Sequence, residues 1–401
     1  MDVYLYDAVR TPRGKSKANG GLAALTPHEL VRQLIEAIGT RNGPQTVTGA
    51  EALTLGCVGQ IGAQGGHIAL VSRLHAGLPD TVRALTINNF CVSGLTAIGL
   101  SAQDAATAGD DRLRLAGGVE MMSRVPFMGD GAFYYDDPAT AKALQYVPVV
   151  LSADLMATME GIEKTDLDRV SARSHQRAAA AWARGDLSEV IAVRDADGAT
   201  ALDRDESVRG STTEEALAAL DPAFGEMGAQ GFDDVMLAAL PQLSEIRHVH
   251  SVGNCPPTCD GAALALLGSR AAGEKAGLKP KARIRAFAEA TADPVLQLTA
   301  GFAAMDTVLE RAGMALGDFD RIEFMEAFAA TPVKFERDYA PDLARVNPDG
   351  GHLAMGHPMG ATGAVLTATM LAGLERQGGE TGLIVTHGGS GVGSAMVVER
   401  V

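Results

Sequence analysis

Residues 87–109 read INNFCVSGLTAIGLSAQDAATAG: an apolar strand-like run breaks at Cys91 and continues as a helix built almost wholly of small residues. Ser93 and Gly94 let the start of that helix approach other backbone closely. Working outward, VYLYDAV, LVRQLIEAIGT and ALTLGCV precede this stretch and LRLAGG follows it. These are alternating short apolar strands and helices, the βαβα rhythm of a parallel sheet covered by helices. The rhythm returns from residue 271 with ARIRAFA, AAMDTVLERAG, DRIEFMEAFAA, a helix after Gly360, and GLIVTHGG followed by SAMVVER.

The two regular parts match in detail. In each, a glycine-containing turn leads into a small-residue helix (CVSGLTAIGLSAQ; GHPMGATGAVLTATML), and a strand then ends in a glycine pair (LAGGVE; VTHGGSG). A duplicated unit accounts for this, although glycine after a strand is common in itself. Residues 119–250 differ: Met- and Pro-bearing loops, a helix over DRVSARSHQRAAAAWARG, and the charged VRDADGATALDRDESVRG. Apolar and aromatic residues persist throughout, so the expectation is a binding or assembly subdomain rather than a linker. The chain divides into residues 1–118, completed by 251–270, a loop domain at 119–250, and a second half at 271–401.

Composition narrows the function. With 401 residues, 46% of them hydrophobic, the chain has material for more than one small core. A net charge of -15 argues against nucleic acid as a partner, although the three arginines from Arg112 to Arg124 leave room for a phosphate-bearing ligand. There is no apolar run of about 18 residues to cross a bilayer, and MDVYLYDAVR lacks the basic flank and apolar stretch of a signal peptide. The expectation is a cytoplasmic protein that does not use a membrane. Four cysteines are too few for a disulfide scaffold. Cys255 and Cys259 lack a second pair at ligand spacing, so they read as buried thiols and no metal is expected.

Four segments can carry chemistry. Cys91, at the start of a helix, is read as a thiol whose pKa the helix dipole lowers, against the alternative of a core filler. In NPDGGHLAMGHPMGATGA (347–364), five glycines around His352 and His357 fold the backbone tightly enough to bring an imidazole to the mouth of a sheet, and His357 is favoured. His387 ends an apolar strand in VTHGGSGVG (385–393), where it is expected to point into the same pocket; a phosphate cradle there lacks the following Lys. Glu326, in the apolar FMEAFAATP, is either desolvated and partnered or faces outward.

In this order, these segments resemble the signature blocks of thiolases, and so do DAVRTPRGK (7–15), GGVEMMSRVP (117–126), CDGAA (259–263) and SAMVVER (394–400). The likeness runs essentially the whole length and is strongest to bacterial 3-ketoacyl-CoA thiolases and acetyl-CoA acetyltransferases. It implies an α/β chain with a duplicated, five-layered α-β-α-β-α fold, an inserted loop domain that holds coenzyme A, and a homodimer or homotetramer. It implies coenzyme A thioesters as substrates and no permanently bound cofactor. By the same resemblance Cys91 is the nucleophile, His357 activates it, and the backbone amides of Cys91 and Gly389 stabilise oxyanions. Glu326 and Met325 stand beside that site, and Met156, Pro256, Pro257 and Phe328 contact substrate.

Three departures stand out. His387 replaces the Cys of a C-x-G-x-G block, and imidazole, with an ordinary pKa of about 6.5, serves as acid and base near neutrality. Met325 replaces an Asn or His that holds an oxyanion-hole water; a thioether cannot donate, and losing one donor costs about 3 to 4 kcal/mol. Cys255, Pro256, Pro257 and Thr258 replace small Ser and Gly positions near the pantetheine, reshaping that pocket. The leading expectation is acyl transfer between CoA thioesters through acyl-Cys91. Its rivals are decarboxylating condensation or thioester hydrolysis, as in the ketoacyl synthases that share the fold, and a non-catalytic acyl-CoA-binding role.

Overall fold

The computed structural model describes residues 2–109, 111–135 and 137–401. Its long strands are β1 (Val3–Arg10), β2 (Ala52–Gly56), β3 (Arg83–Ile87), β4 (Arg114–Met121), β5 (Cys259–Ser269), β6 (Ala282–Thr291), β7 (Arg321–Phe324), β8 (Thr381–Gly388) and β9 (Val392–Arg400). The helices that position the site are α1 (Pro27–Asn42), α2 (Ile68–His75), α3 (Ser93–Thr107), α4 (Val149–Met159), α5 (Lys164–Arg184), α6 (Ala300–Ala312), α7 (Ala330–Tyr339) and α8 (Thr362–Gln377).

The strands lie in the order β7-β8-β9-β6-β1-β5-β4-β2-β3. The order repeats about its centre. In each half the first strand pairs antiparallel with the last, the last pairs antiparallel with a middle strand, and that strand pairs parallel with its neighbour. Within the sheet, the halves join where Tyr4 and Leu5 of β1 meet Arg283 and Ala282 of β6. The sheet is therefore mixed, not wholly parallel as the βα rhythm suggested. β8 and β9 are linked by Gly389–Gly391 alone, too short for the crossover that a parallel pair requires. β4 runs on to Met121, three residues past a boundary drawn at 118.

Alternation along the strands builds the layers. Val3 and Leu5 face a central core, whereas Tyr4 and Tyr6 face an outer one. The central core is filled by α3 and α8 through Leu95, Ile98, Val365 and Leu371. α1 covers the first sheet's outer face with Leu30, Leu34 and Ile38. α6 covers the second with Phe302, Met305 and Val308. Helix, sheet, helices, sheet and helix make five layers. The 186–209 segment is fastened to β1 by the buried Arg10, whose guanidinium donates to both oxygens of Asp205 at 2.9 and 3.1 Å.

Glycine is required where the two halves meet. A Cβ on Gly363 of α8 would collide with the backbone and Cβ of Leu95 in α3, and one on Gly94 would lie 2.9 Å from the Gly360 carbonyl. The central helices thus touch backbone to backbone near the Cys91 end, which holds the two glycine-rich blocks together. Gly363→Val is expected to cost about 1 to 3 kcal/mol through overpacking, read as a lower urea midpoint; an unchanged midpoint would mean that the helices can part without penalty.

Candidate active site

Cys91 sits on an elbow between β3 and α3. Phe90 adopts φ 46°, a left-handed conformation costly for an aromatic residue. The turn is held by its own side chains: Asn88 Oδ1 accepts the Phe90 N–H at 3.0 Å, and Ser93 Oγ accepts the Asn89 N–H at 2.8 Å while donating to the Phe90 carbonyl at 2.6 Å. The backbone N–H groups of Gly389 and of Cys91 itself lie beside the sulfur and favour its ionised form. The expectation of a lowered thiol pKa is overturned. Burial pushes the Cys91 thiol up to about 12, the Glu120 carboxylate adds to the rise, and the two N–H groups oppose it only in part.

Glu120, on β4, joins the two halves at this point. Fully buried, it accepts N–H groups from Val58 at 2.9 Å, Gly59 at 3.0 Å and Gly360 at 3.1 Å, and the Gln64 side chain at 2.6 Å. Burial nonetheless holds its pKa above the ordinary carboxylate range. Gly360 follows the GHP block, so this carboxylate fixes that block against the loop after β2. His357 is oriented by a 2.6 Å bond between Nδ1 and Thr362 Oγ1 and by its backbone N–H, which donates to the Pro257 carbonyl at 2.9 Å. Burial, helped by the Arg13 charge, lowers its pKa to about 3, so the ring is neutral. Two residues on, Met359 packs beside Cys91.

Glu326 resolves to the partnered alternative. It accepts Ser174 Oγ at 2.7 Å, the Leu353 N–H at 3.1 Å and Asn347 Nδ2 at 3.2 Å, which ties α5 and the 347–353 loop together. Met325 is buried, and its sulfur accepts the His387 backbone N–H at 3.3 Å. His387 does not point into the Cys91 pocket as expected. With Leu383 and Val385 facing the outer core, strand alternation carries the His387 ring to the same side. There it lies 5.1 Å from the Phe302 ring and 4.9 Å from the Phe324 ring. Nδ1 donates to the Leu298 carbonyl at 2.9 Å, Nε2 has no protein partner among the described residues, and burial lowers the pKa to about 4.

An apolar chamber opens beside Cys91. Val58, Phe90, Met359 and Gly389 line its inner end, and residues 126–149 supply much of the remaining wall. Of the residues expected at the substrate, Met156 is buried in the central core, Phe328 packs half-buried against that core, and Pro256 and Pro257 are half-buried in the segment before β5. None of the four lines this chamber. Cys255 and Cys259 are free thiols. Sequence reasoning gave no role to Glu120 or to Gln297. Gln297 accepts the Ser390 N–H at 2.7 Å and donates to the Val147 carbonyl at 2.8 Å and to Ser152 Oγ at 2.7 Å, clamping the loop after β8 to the start of α4. An acid within a strand, VEM, was the available signal for Glu120; Gln297 offered none.

A thiol on a strained elbow at the end of an apolar chamber suits covalent acyl transfer. Family models for the thiolase N-terminal and C-terminal domains match residues 3–231 and 278–400. Similar proteins include a beta-ketoadipyl-CoA thiolase of Pseudomonas knackmussii, 35% identical over 100% of this chain and 99% of that protein. A 3-ketoacyl-CoA thiolase of Erwinia tasmaniensis is 36% identical over 100% and 99%. A 3-oxoadipyl-CoA/3-oxo-5,6-dehydrosuberyl-CoA thiolase of Escherichia coli is 33% identical over the full length of both. The chain belongs to the thiolase family. It is accordingly an acyltransferase that acts on CoA thioesters. Among the described residues, no helix is long and apolar enough to cross a membrane.

Beside the site, His352 is fully buried with neither ring nitrogen bonded to a described residue, and burial holds its pKa well below 6.5. Above about pH 6.5 the ring is neutral in both folded and unfolded chains and has no pH-linked effect. Below it only the unfolded ring takes a proton, so stability falls with acidity by about 1.4 kcal/mol per pH unit. His352→Leu is expected to flatten the decline of Tm between pH 6.5 and 5 and to raise Tm at pH 5. An unchanged slope would mean that the ring is not held neutral.

Proposed function

We propose that this chain cleaves and forms 3-ketoacyl-CoA through an acyl-Cys91 intermediate: 3-ketoacyl-CoA and CoA are exchanged for the shortened acyl-CoA and acetyl-CoA. The observation that carries the reading is the Cys91 thiol on its strained elbow, at the end of an apolar chamber that Gly389 also lines. The named relatives share 3-keto thioester chemistry, which supports the same substrate class here.

In thiolysis the Cys91 thiol passes its proton to His357 and its sulfur attacks the 3-keto carbon. The bond between C2 and C3 breaks, its electron pair goes to the acetyl-CoA carbon, and that carbon takes a proton. CoA then attacks the acyl-Cys91 carbonyl, and the thiolate of Cys91 leaves. Oxyanions in both steps are held by the amides of Cys91 and Gly389, fixed before the reaction and screened from water. The resting pair is a neutral thiol and a neutral imidazole, since burial disfavours charge on each. His387 takes the second acid-base place. Its ring rests in the outer core with Nδ1–H held by Leu298, so the Nε2 lone pair carries the α-proton only after the end of β8 rearranges to bring the ring to the chamber.

We assign residues 1–118 with 251–270, and residues 271–401, to the two catalytic halves; the pairing of β5 with β1 and β4 supports this division. Residues 119–250 form the loop domain for CoA binding and assembly. The unpaired edge of β3, with Leu85 exposed, supports a homodimer or homotetramer. The cytoplasm is the proposed compartment.

The test separates the two steps. Cys91→Ala is expected to abolish thiolysis of acetoacetyl-CoA. His387→Phe, which suits the ring's aromatic surroundings, is expected to keep acetyl transfer from acetyl-CoA to Cys91 but slow carbon-carbon cleavage about 100-fold. Thiolysis surviving in Cys91→Ala would overturn the reading; unchanged cleavage in His387→Phe would make His387 a core residue only.

A further inference from the structure

The chamber beside Cys91 is built for one kind of acyl group. Among its described lining residues there is no Lys, Arg or His, and the only acid is Asp130. The amide of Gln297 is engaged on both sides with protein, as described above, and the Tyr146 hydroxyl points to the Met128 sulfur at 3.7 Å. A carboxylate placed here loses water, gains no cation and shares the chamber with Asp130.

The far wall is aromatic. The Tyr135 and Tyr146 rings lie 5.4 Å apart between centroids, and Tyr134 stacks edge-on against both, at 4.7 and 5.2 Å. Tyr135 and Tyr146 also border a second, outer groove together with Phe232, Val235 and Lys142. The pair is thus a partition: a chain that ends before it stays among apolar walls, and a longer one must displace it to reach the groove and its lysine.

Resting on the proposed thiolase reading, we infer that the enzyme's substrates are 3-ketoacyl-CoA thioesters with a neutral, apolar acyl group of limited length, that a terminal carboxylate is rejected, and that Tyr135 and Tyr146 set the length limit. Part of the set of similar proteins is named for ketoadipyl-CoA, a dicarboxylic substrate; among its described lining residues this chain's chamber supplies no cation to receive the second carboxylate.

The decisive comparison uses two six-carbon substrates that differ only at the chain end, 3-ketohexanoyl-CoA and 3-ketoadipyl-CoA, with acetoacetyl-CoA as reference. The expected result is kcat/KM at least about 100-fold higher for the hexanoyl thioester, as desolvating an unpaired carboxylate demands. Equal or better use of the adipyl thioester, with acetoacetyl-CoA cleaved normally, would overturn this inference and leave the thiolase reading standing. Cleavage of none of the three would overturn both. Tyr146→Ala is expected to raise the 3-ketododecanoyl to 3-ketohexanoyl ratio of kcat/KM about tenfold. An unchanged ratio in a variant that still cleaves the six-carbon thioester would refute the partition, and the wild-type pair decides the carboxylate question without any variant.

Discussion

The carboxylate of Glu120 is the constraint on which the site depends. It stands in the interior with no cation bonded to it among the described residues, balanced by three backbone N–H groups and a glutamine amide. Two of those N–H groups belong to the loop after β2 and one to the GHP block of the other half. An isolated buried carboxylate is costly unless such donors surround it, so the loops cannot drift apart without exposing that cost. Its charge also reaches Cys91, where it helps to keep the resting sulfur protonated.

Around this anchor, burial sets the chemistry more than helix dipoles do. The same desolvation that raises the Cys91 thiol lowers His357, so neither group is charged until substrate brings an oxyanion to the waiting amides. Strain is stored beside the sulfur: Phe90 and Ser390 are non-glycine residues in left-handed conformations, one in each half, and both line the chamber with Cys91. Gln297 holds the second of these loops through the Ser390 N–H, which links the oxyanion geometry to the loop that carries the chamber wall.

Much of this was legible in the sequence because glycine and alternation are local signals. The small residues Ser93 and Gly94 announced a close approach of the Cys91 helix to other backbone, and the paired glycine-ended strands announced a repeat. What stayed hidden depends on non-local geometry. The donors to Glu120 lie at residues 58, 59, 64 and 360, and no spacing rule connects them. The side on which His387 lies is set by the parity of β8, whose residues 383–385 are apolar on both faces and so conceal it. The mixed character of the sheet follows from a three-residue link between two strands, a detail that the βα rhythm outweighed. The thiol's pKa was misjudged because helix position is readable in a sequence and burial is not.

The central claim is that Cys91 carries the acyl group, and intact-protein mass spectrometry tests it most directly. Mixed with acetyl-CoA in the absence of free CoA, the protein is predicted to gain the mass of one acetyl group, mapped by peptide digestion to Cys91 and lost on addition of CoA. An unmodified mass, or an adduct on another residue that CoA does not remove, would contradict the account.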